Sequence, residues 1–402
     1  GPTRRARERA RTMPYAEGRT YFDADSHLME LPDFLVEYLD PAYRGVIPPL
    51  AIPPLSAPAG GPTPAERMAR LVVERAHEPE RADELARNVM TSGKNYDALG
   101  AFSPAERTRA LDLLGFRAQW VFSSFSAGQV FFLRDIPARY AAARAHNRAM
   151  AAFCGDDPRL LPVALLPLDD PAMAVAELEH ALELGSQGVW VPAGPCGGRS
   201  PGHDELDPIW ARLAEAGIPF LLHVGAQPIQ IRPEYMNTGR PQPKDWLGGA
   251  ENVRSKDLTV IHQSSEEFLS VLVLDGVLER HRGLRGAAVE LGATWVPGML
   301  RRLDHAAEIW ARSEPELRAF TRRPSEQVRD QLAFTPYVFE DVGALIRESS
   351  PELYLFSSDY PHAEGGRNPI GRFEASLGDL APSARDAFYE GNFVKLLPAA
   401  AA

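Results

Sequence analysis

Residues 161–192 read LPVALLPLDDPAMAVAELEHALELGSQGVWVP and contain a strand, a helix and a second strand. The runs Leu161–Leu168 and Gly188–Pro192 are short and apolar, which is typical of strands buried on both faces of a parallel sheet. Between them, an Asp-Pro pair at 170 starts a helix, and Gly185 follows its end. The stretch therefore predicts one βα unit of an α/β fold.

The same alternation extends over most of the chain. Helices are predicted from Asp207 to Ala216 and from Glu266 to Arg282. Eight strands alternating with helices predict a (β/α)8 TIM barrel, with a doubly wound open sheet as the alternative. We expect one domain over residues 1–402. The other predicted strands are Tyr21–Asp25, Gln119–Ser124, Ile218–Val224, Leu284–Leu291, Gln331–Val338 and Glu352–Ser357.

Composition excludes several classes of function. The net charge of −11 argues against nucleic-acid binding. The two cysteines, Cys154 and Cys196, form no CxxC motif, which argues against a disulfide framework or a cysteine zinc site. No apolar run reaches the roughly 18 residues that span a bilayer, and no apolar signal-peptide core is present. We expect a cytoplasmic protein that acts on a small molecule.

Two long segments interrupt the alternation of strands and helices. Residues 40–105 are rich in Pro and Ala, and residues 226–257 are polar and rich in Pro. Both follow strand ends, after strands one and five, so they predict lids over a substrate. Residues 1–18 predict a disordered tail. The cations Lys94, Arg232 and Lys244 lie in these segments, and they either bind a substrate anion or are solvated. The aromatic residues Tyr96, Tyr235 and Trp246 either flank the substrate or pack in the core.

Acidic residues and histidines recur where predicted strands end. A single one has a simple explanation, such as a hydrogen-bonded core histidine, a buried ion pair or a loop cap. Four strands that each end in such a residue predict a metal site, because buried charges must be paired or bind metal. Mixed nitrogen and oxygen donors suit Zn, Mn, Fe or Co. The candidate ligands are Asp25, His27, His223, Glu290 and Asp359, with His362 just after Asp359 and His262 in the long connection after strand five.

The first of these motifs, DADSH, is at residues 23–27. The Asp-x-His spacing places Asp25 and His27 on one face of a strand, which fits two ligands of one metal. Asp23 has the same parity but lies deeper, so we expect a supporting role. Glu30 follows the strand and is expected to cap it or to support the site.

With further motifs, the chain resembles the amidohydrolase-related barrel enzymes, the branch with aminocarboxymuconate-semialdehyde decarboxylase and resorcylate decarboxylases. The resemblance covers nearly the whole chain. It rests on DADSH at 23–27, RAHNRAMAAFC at 144–154, FLLHVG at 220–225, ELGATWVP at 290–297 and SSDYPHAEG at 357–365.

The resemblance implies metal ligands at Asp25, His27, His223 and Asp359. Two positions depart from the family's pattern. The first ligand is usually His or Glu, and the strand-six position, a histidine in the decarboxylases, is Glu290 here. The site is therefore richer in carboxylates than the family's usual site.

Two mechanisms follow from the resemblance. In the first, one divalent Zn, Mn or Fe supports hydrolysis or non-oxidative decarboxylation of a small carboxylated or acyl substrate. Its catalytic residues are Asp359 as ligand or base, His223 as the group that polarises the scissile bond, and Glu290. In the second, the chain is similar to barrel non-haem diiron monooxygenases, and two Fe would serve hydroxylation of a CoA-linked substrate. A metal-free binding barrel is a third hypothesis, against which the intact ligand set argues. Relatedness also implies a homodimer.

Overall fold

The computed structural model describes residues 13–51, 61–226, 231–241 and 253–401. Seven parallel strands form one sheet in chain order. Because the order never reverses, the sheet has no switch point, and the doubly wound alternative is wrong. The strands are β1 (Phe22–Leu28), β2 (Ala118–Ser123), β3 (Leu160–Leu165), β4 (Gly188–Trp190), β5 (Phe220–His223), β6 (Gly286–Val289) and β7 (Leu332–Phe334).

An irregular segment at residues 354–360 joins the two edges of the sheet. On one side, the Leu355 amide donates to the Phe334 carbonyl of β7 at 2.9 Å. On the other side, the Asp359 amide donates to the Asp25 carbonyl of β1 at 2.8 Å. The segment thus connects β7 to β1, so that the sheet is curled, and it brings Asp359 beside β1.

The eighth predicted strand, Glu352–Ser357, is wrong as a regular strand. Its first residues belong to a 3-10 helix, Pro351–Leu353, and beyond them only single bridges form, at Tyr354 and Tyr360. Pro351 explains the start, because proline has no amide to donate to a ladder and fits the first turn of a helix.

Helices follow most strands. The predicted helix after β3 is confirmed as Pro171–Glu183, and the Asp170 side chain caps it by accepting from the Met173 amide at 3.0 Å. The single helix predicted over residues 266–282 is wrong, because Gly276, at φ +75°, separates two helices. The α-helices are Pro64–His77, Pro79–Ala86, Pro104–Leu114, Ser126–Phe131, Ile136–Cys154, Pro171–Glu183, Asp207–Ala216, Pro233–Met236, Ser255–Leu258, Gln263–Leu274, Val277–Arg280, Val296–Trp310, Pro315–Arg318, Pro324–Gln331, Val342–Glu348, Pro369–Leu377, Pro382–Asp386 and Asn392–Leu396.

The first long segment, residues 40–105, returns to the carboxyl end of β1. The Met29 amide donates to the Ala101 carbonyl at 2.8 Å, and the Tyr96 hydroxyl donates to the Glu30 carbonyl at 2.6 Å. Of the second segment, Tyr235 is exposed. Trp246, Lys244 and residues 1–12 lie outside the described residues. None of the helices that the structure describes is long and apolar enough to cross a membrane.

The helix Ile136–Cys154 packs on β3, and the buried Asn147 side chain of the helix hydrogen-bonds to the strand. Asn147 binds Leu165 of β3 twice, accepting from its amide at 2.7 Å and donating to its carbonyl at 3.0 Å. His146 beside it is fully buried, and its Nδ1 lies 3.0 Å from Asn147 Oδ1. Burial lowers the pKa of His146 to about 4, although the hydrogen bond to Asn147 opposes this. His146 is therefore neutral at pH 7.

The neutral His146 predicts a loss of stability in acid. Its pKa in the unfolded chain is about 6.5, so the unfolded chain takes up the proton first as pH falls. Its stability contribution is complete above pH 6.5 and is lost toward pH 4. We expect wild type to lose about 3 kcal/mol more unfolding free energy than His146→Gln between pH 7 and pH 4. Urea unfolding at both pH values measures this, with the exposed His77→Gln as control; equal losses in all three proteins would contradict it.

Candidate metal centre

The sheet brings six of the seven predicted ligands together at the carboxyl ends of its strands. Asp25 and His27 lie inside β1, where the pairing with β2 is irregular between Asp23 and Ser26. His223 is the last residue of β5, and Glu290 directly follows β6. All six are buried, and they form two groups of four donors: Asp25, His27, His223 and Glu290; and His27, Glu290, Asp359 and His362.

His27 is the centre of the cluster. Its Nε2 lies 3.1 Å from Asp25 Oδ1, 3.5 Å from Asp359 Oδ1 and 3.8 Å from Glu290 Oε2. His223 Nε2 is 3.3 Å from both Asp25 Oδ1 and Glu290 Oε2. Burial pushes the pKa of Asp25 up, but His223 and His27 bring it down to about 2. The Asp25 carboxylate is therefore charged at neutral pH.

The hydrogen bonds of two histidines decide which ring nitrogen faces the cluster. His223 Nδ1 lies 2.8 Å from the Val224 carbonyl, which can only accept, so Nδ1 carries the proton. The Ser124 hydroxyl donates to the Leu28 carbonyl at 2.8 Å and therefore accepts from His362 Nε2, also at 2.8 Å. His362 thus turns an acceptor nitrogen, Nδ1, toward the carboxylates. His223 turns Nε2 toward them, 3.3 Å from Asp25 Oδ1.

His362 is neutral. Burial, followed by the charges of His27 and His223, lowers its pKa well below the ordinary value. Its Nδ1 lies 3.1 Å from Asp359 Oδ1. A lone pair on nitrogen and a carboxylate oxygen repel at this distance unless a proton or a cation lies between them.

The donor set fits a divalent metal. Neither ring nitrogen of His27 has a hydrogen-bond partner among the residues that the structure describes, although the ring is buried. His223 donates its outer nitrogen to a backbone carbonyl, as metal-bound histidines usually do. Imidazole and carboxylate together suit Mn, Zn or Fe.

Backbone strain is concentrated at this cluster. Among the described residues, the non-glycine residues with positive φ are Asn95 at +52°, Glu290 at +54° and Asp359 at +53°. Such conformations cost about 1–3 kcal/mol each and persist where surrounding bonds impose them. At Glu290, the amide donates to Thr335 Oγ1 at 2.8 Å, and the Tyr337 hydroxyl donates to the carbonyl at 3.0 Å. The strain therefore aims these carboxylates into the cluster.

Two further carboxylates hold the surrounding backbone in the supporting roles predicted for them. Asp23 accepts from the Ser358 amide at 2.7 Å and its hydroxyl at 2.6 Å, and from Gln119 Nε2 at 2.6 Å. Glu30 accepts from the amides of Ser124 at 2.9 Å and Ser126 at 2.8 Å. Asp23 thus fixes the segment that carries Asp359, and Glu30 fixes the loop after β2.

The model of the amidohydrolase family (Amidohydro_2) matches residues 96–399. The chain belongs to this family. The match includes His223, Glu290, Asp359 and His362, whereas β1 precedes it.

One curated relative is the decarboxylase orsB of Emericella nidulans. It is 25% identical over 234 residues, which are 56% of this chain and 66% of that protein. The chain thus spans just under two thirds of the length of this relative.

Solved structures show the same fold. An amidohydrolase from Mycobacterium avium subsp. paratuberculosis matches with a TM-score of 0.71 and 23% identity, over 95% of this chain and 100% of that one. A 2,6-dihydroxybenzoate decarboxylase from Rhizobium gives 0.60 and 17%, over 95% and 99%. A 5-carboxyvanillate decarboxylase from Novosphingobium aromaticivorans, complexed with manganese, gives 0.61 and 17%, over 95% and 96%.

His262 stands apart from the other six predicted ligands of this amidohydrolase-family chain. Its Nε2 lies 3.4 Å from Glu266 Oε2, and its ring stacks on Trp295 with centroids 5.5 Å apart. Burial and, to a smaller extent, Arg302 lower its pKa. The structure therefore places His262 with Glu266 and Trp295.

Sequence reasoning missed Ser124. A serine after a buried strand is too common to indicate a role, and only the fold shows that its hydroxyl orients His362.

Proposed function

We propose that this protein is a metal-dependent, non-oxidative decarboxylase of an aromatic carboxylic acid. The observation that carries the proposal is the buried cluster of three carboxylates and three histidines, whose possible ligand atoms lie close together. Family membership supports it, because orsB is a decarboxylase. The solved relatives with matching folds include decarboxylases of 2,6-dihydroxybenzoate and 5-carboxyvanillate.

Asp25, His27 and His223 of the first donor group and Asp359 of the second would hold the metal, and Glu290 lies in both groups. A divalent ion bound there supplies Lewis-acid polarisation of the substrate's carboxylate. Asp25 is ionised and keeps the site attractive to a cation. The bond from His223 Nδ1 to the Val224 carbonyl fixes the ring so that Nε2 faces the other donors and is available to a metal.

Decarboxylation breaks the bond between the ring carbon and the carboxylate, and it leaves the electron pair on that carbon. A proton must then replace the lost carbon dioxide. Asp359 is the group for this step, because its carboxyl oxygen lies 3.1 Å from the neutral His362 and can hold a proton there. Asp359 gives that proton to the ring carbon and takes another from solvent before the next turnover.

Aromatic side chains restrict water around the cluster. The Phe122 and Trp190 rings lie 4.5 Å and 4.7 Å from the His223 ring, and both are buried. Exclusion of water lowers the local dielectric constant and so strengthens the charge interactions at the reacting group. The returning chain at 95–101, which hydrogen-bonds to Met29 and Glu30, would cover the same end as part of a lid. The second long segment would complete the lid of a (β/α)8 barrel.

One observation favours a second candidate, a diiron monooxygenase. The two donor groups share His27 and Glu290, and six donors exceed the needs of one four- or five-coordinate ion. Two iron ions would fit three carboxylates and three imidazoles. The number of metals per chain therefore separates the candidates.

Metal content and product analysis test the proposal. Purified protein is expected to bind one divalent metal per chain and, when loaded with manganese or zinc, to release carbon dioxide from 2,6-dihydroxybenzoate or another hydroxybenzoate of a panel, without oxygen uptake. A metal-loaded protein that releases no carbon dioxide from the whole panel would overturn the proposal. Two irons per chain, with oxygen uptake on an acyl-CoA, would replace it by the monooxygenase.

A further inference from the structure

Lys94 buries its charge next to the metal centre. Its Nζ is inaccessible to solvent and has no hydrogen-bond partner among the described residues. Its strongest electrostatic neighbours are Asp359, Glu364 and Arg367, and His362 also experiences its charge. The ammonium group is therefore buried within electrostatic reach of Asp359.

The conformation of the loop that carries Lys94 is fixed by its backbone contacts. The Asn95 amide donates to the Pro361 carbonyl at 2.8 Å, and Asn95 adopts a φ of +52°. On the other side, a Cβ on Gly93 would lie 2.4 Å from the Asp97 carbonyl oxygen, so only glycine fits there. The loop thus holds Lys94 between a close turn and the segment that carries Asp359.

A buried ammonium group without a partner is costly, and chains retain one where a ligand supplies the counter-charge. The charge of the metal centre shows which ligand fits. With the proton on Asp359, the carboxylates of Asp25 and Glu290 would offset the two charges of one divalent ion. The charge of Lys94 would then have no counter-charge at the centre, and an anionic substrate would supply one.

We propose that Lys94 binds the substrate anion, pairing its ammonium group with the carboxylate or an ionised hydroxyl of the aromatic acid beside Asp359. The inference rests on the proposed function and deepens it. Because Nζ is buried and within electrostatic reach of Asp359, the anion belongs to the reacting end of the substrate. A distant phosphate of a CoA-linked substrate would meet an exposed cation instead.

The test compares two ligands that differ in charge and hardly in shape, 2,6-dihydroxybenzoate and 2,6-dihydroxybenzamide. Calorimetry on the metal-loaded protein measures both affinities in wild type, Lys94→Met, Lys94→Arg and Arg301→Met. Arg301 is an exposed cation on the helix Val296–Trp310, outside both long segments, and is the matched control. We expect Lys94→Met to lose about 10-fold or more in affinity for the benzoate and to keep that for the benzamide within about 2-fold. Lys94→Arg and Arg301→Met should keep the preference for the anion.

A melting curve without ligand separates this role from a structural one. Removing an unpaired buried charge should leave the melting temperature of metal-loaded Lys94→Met equal or higher. A lower melting temperature with equal loss of both ligands would overturn the proposal, as would a wild type without preference for the benzoate. Metal content is measured in each variant and should be unchanged.

The outcomes for Lys94 and for the reaction are distinct. If Lys94→Met loses the anion preference while wild type decarboxylates nothing in the panel, the anion site stands and the proposed reaction fails. If wild type decarboxylates a hydroxybenzoate and Lys94→Met does so with unchanged KM and kcat, the reaction stands and the Lys94 proposal fails.

Discussion

Glu290→Gln is expected to lower kcat/KM for decarboxylation by about 100-fold or more and to weaken metal binding. Glu290 Oε2 lies 3.3 Å from His223 Nε2 and 3.8 Å from His27 Nε2, so its charge belongs to both donor groups. The amide of glutamine keeps the shape but removes the negative charge and turns N–H donors toward acceptor nitrogens. The loss therefore measures charge rather than packing.

Metal titration and steady-state kinetics on the same preparations check this result. Glu308→Gln is the control, because Glu308 is an exposed carboxylate on the helix Val296–Trp310, which follows β6. It should behave as wild type. Full activity and metal content in Glu290→Gln would remove Glu290 from the site.

The sequence predicted the donors because each of them can be recognised within one strand or at the end of one apolar run. Asp25 and His27 lie on one strand, and His223 and Glu290 stand at the ends of two apolar runs. Parallel strands bring such ends to one edge of a sheet, so their meeting follows from the fold class. Structure was needed to show that β1 continues past Asp25 to Leu28, so that His27 lies within the strand.

The sequence could not predict features that depend on contacts between residues far apart in the chain. His262 precedes the helix Gln263–Leu274, and its position depends on packing against Trp295 rather than on any local pattern. Lys94 sits in a loop whose direction is set by the hydrogen bond from Asn95 to Pro361, more than 200 residues away. No periodicity reports such a contact. The cytoplasmic location, the homodimer and the disordered tail stay predictions.

Asp359→Asn is expected to reduce kcat by about 10²–10⁴-fold, the range for loss of a positioned proton donor. Asparagine keeps an oxygen near His27 and His362 but cannot hold the proton that the ring carbon needs. Asp359 Oδ1 lies 3.5 Å from His27 Nε2, so the substitution should also weaken metal binding, by a smaller factor. The distinguishing result is low kcat at metal concentrations that saturate the variant.

Single-turnover release of carbon dioxide from metal-saturated enzyme measures this step directly. The matched control is Asp379→Asn, since Asp379 has a side chain that is 99% exposed. A variant that regains wild-type kcat once saturated with metal would show that Asp359 acts only as a ligand. A variant that binds metal and substrate yet stays slow places the proton on Asp359, because substrate binding and metal binding are then intact and only the replacement of carbon dioxide by hydrogen is impaired.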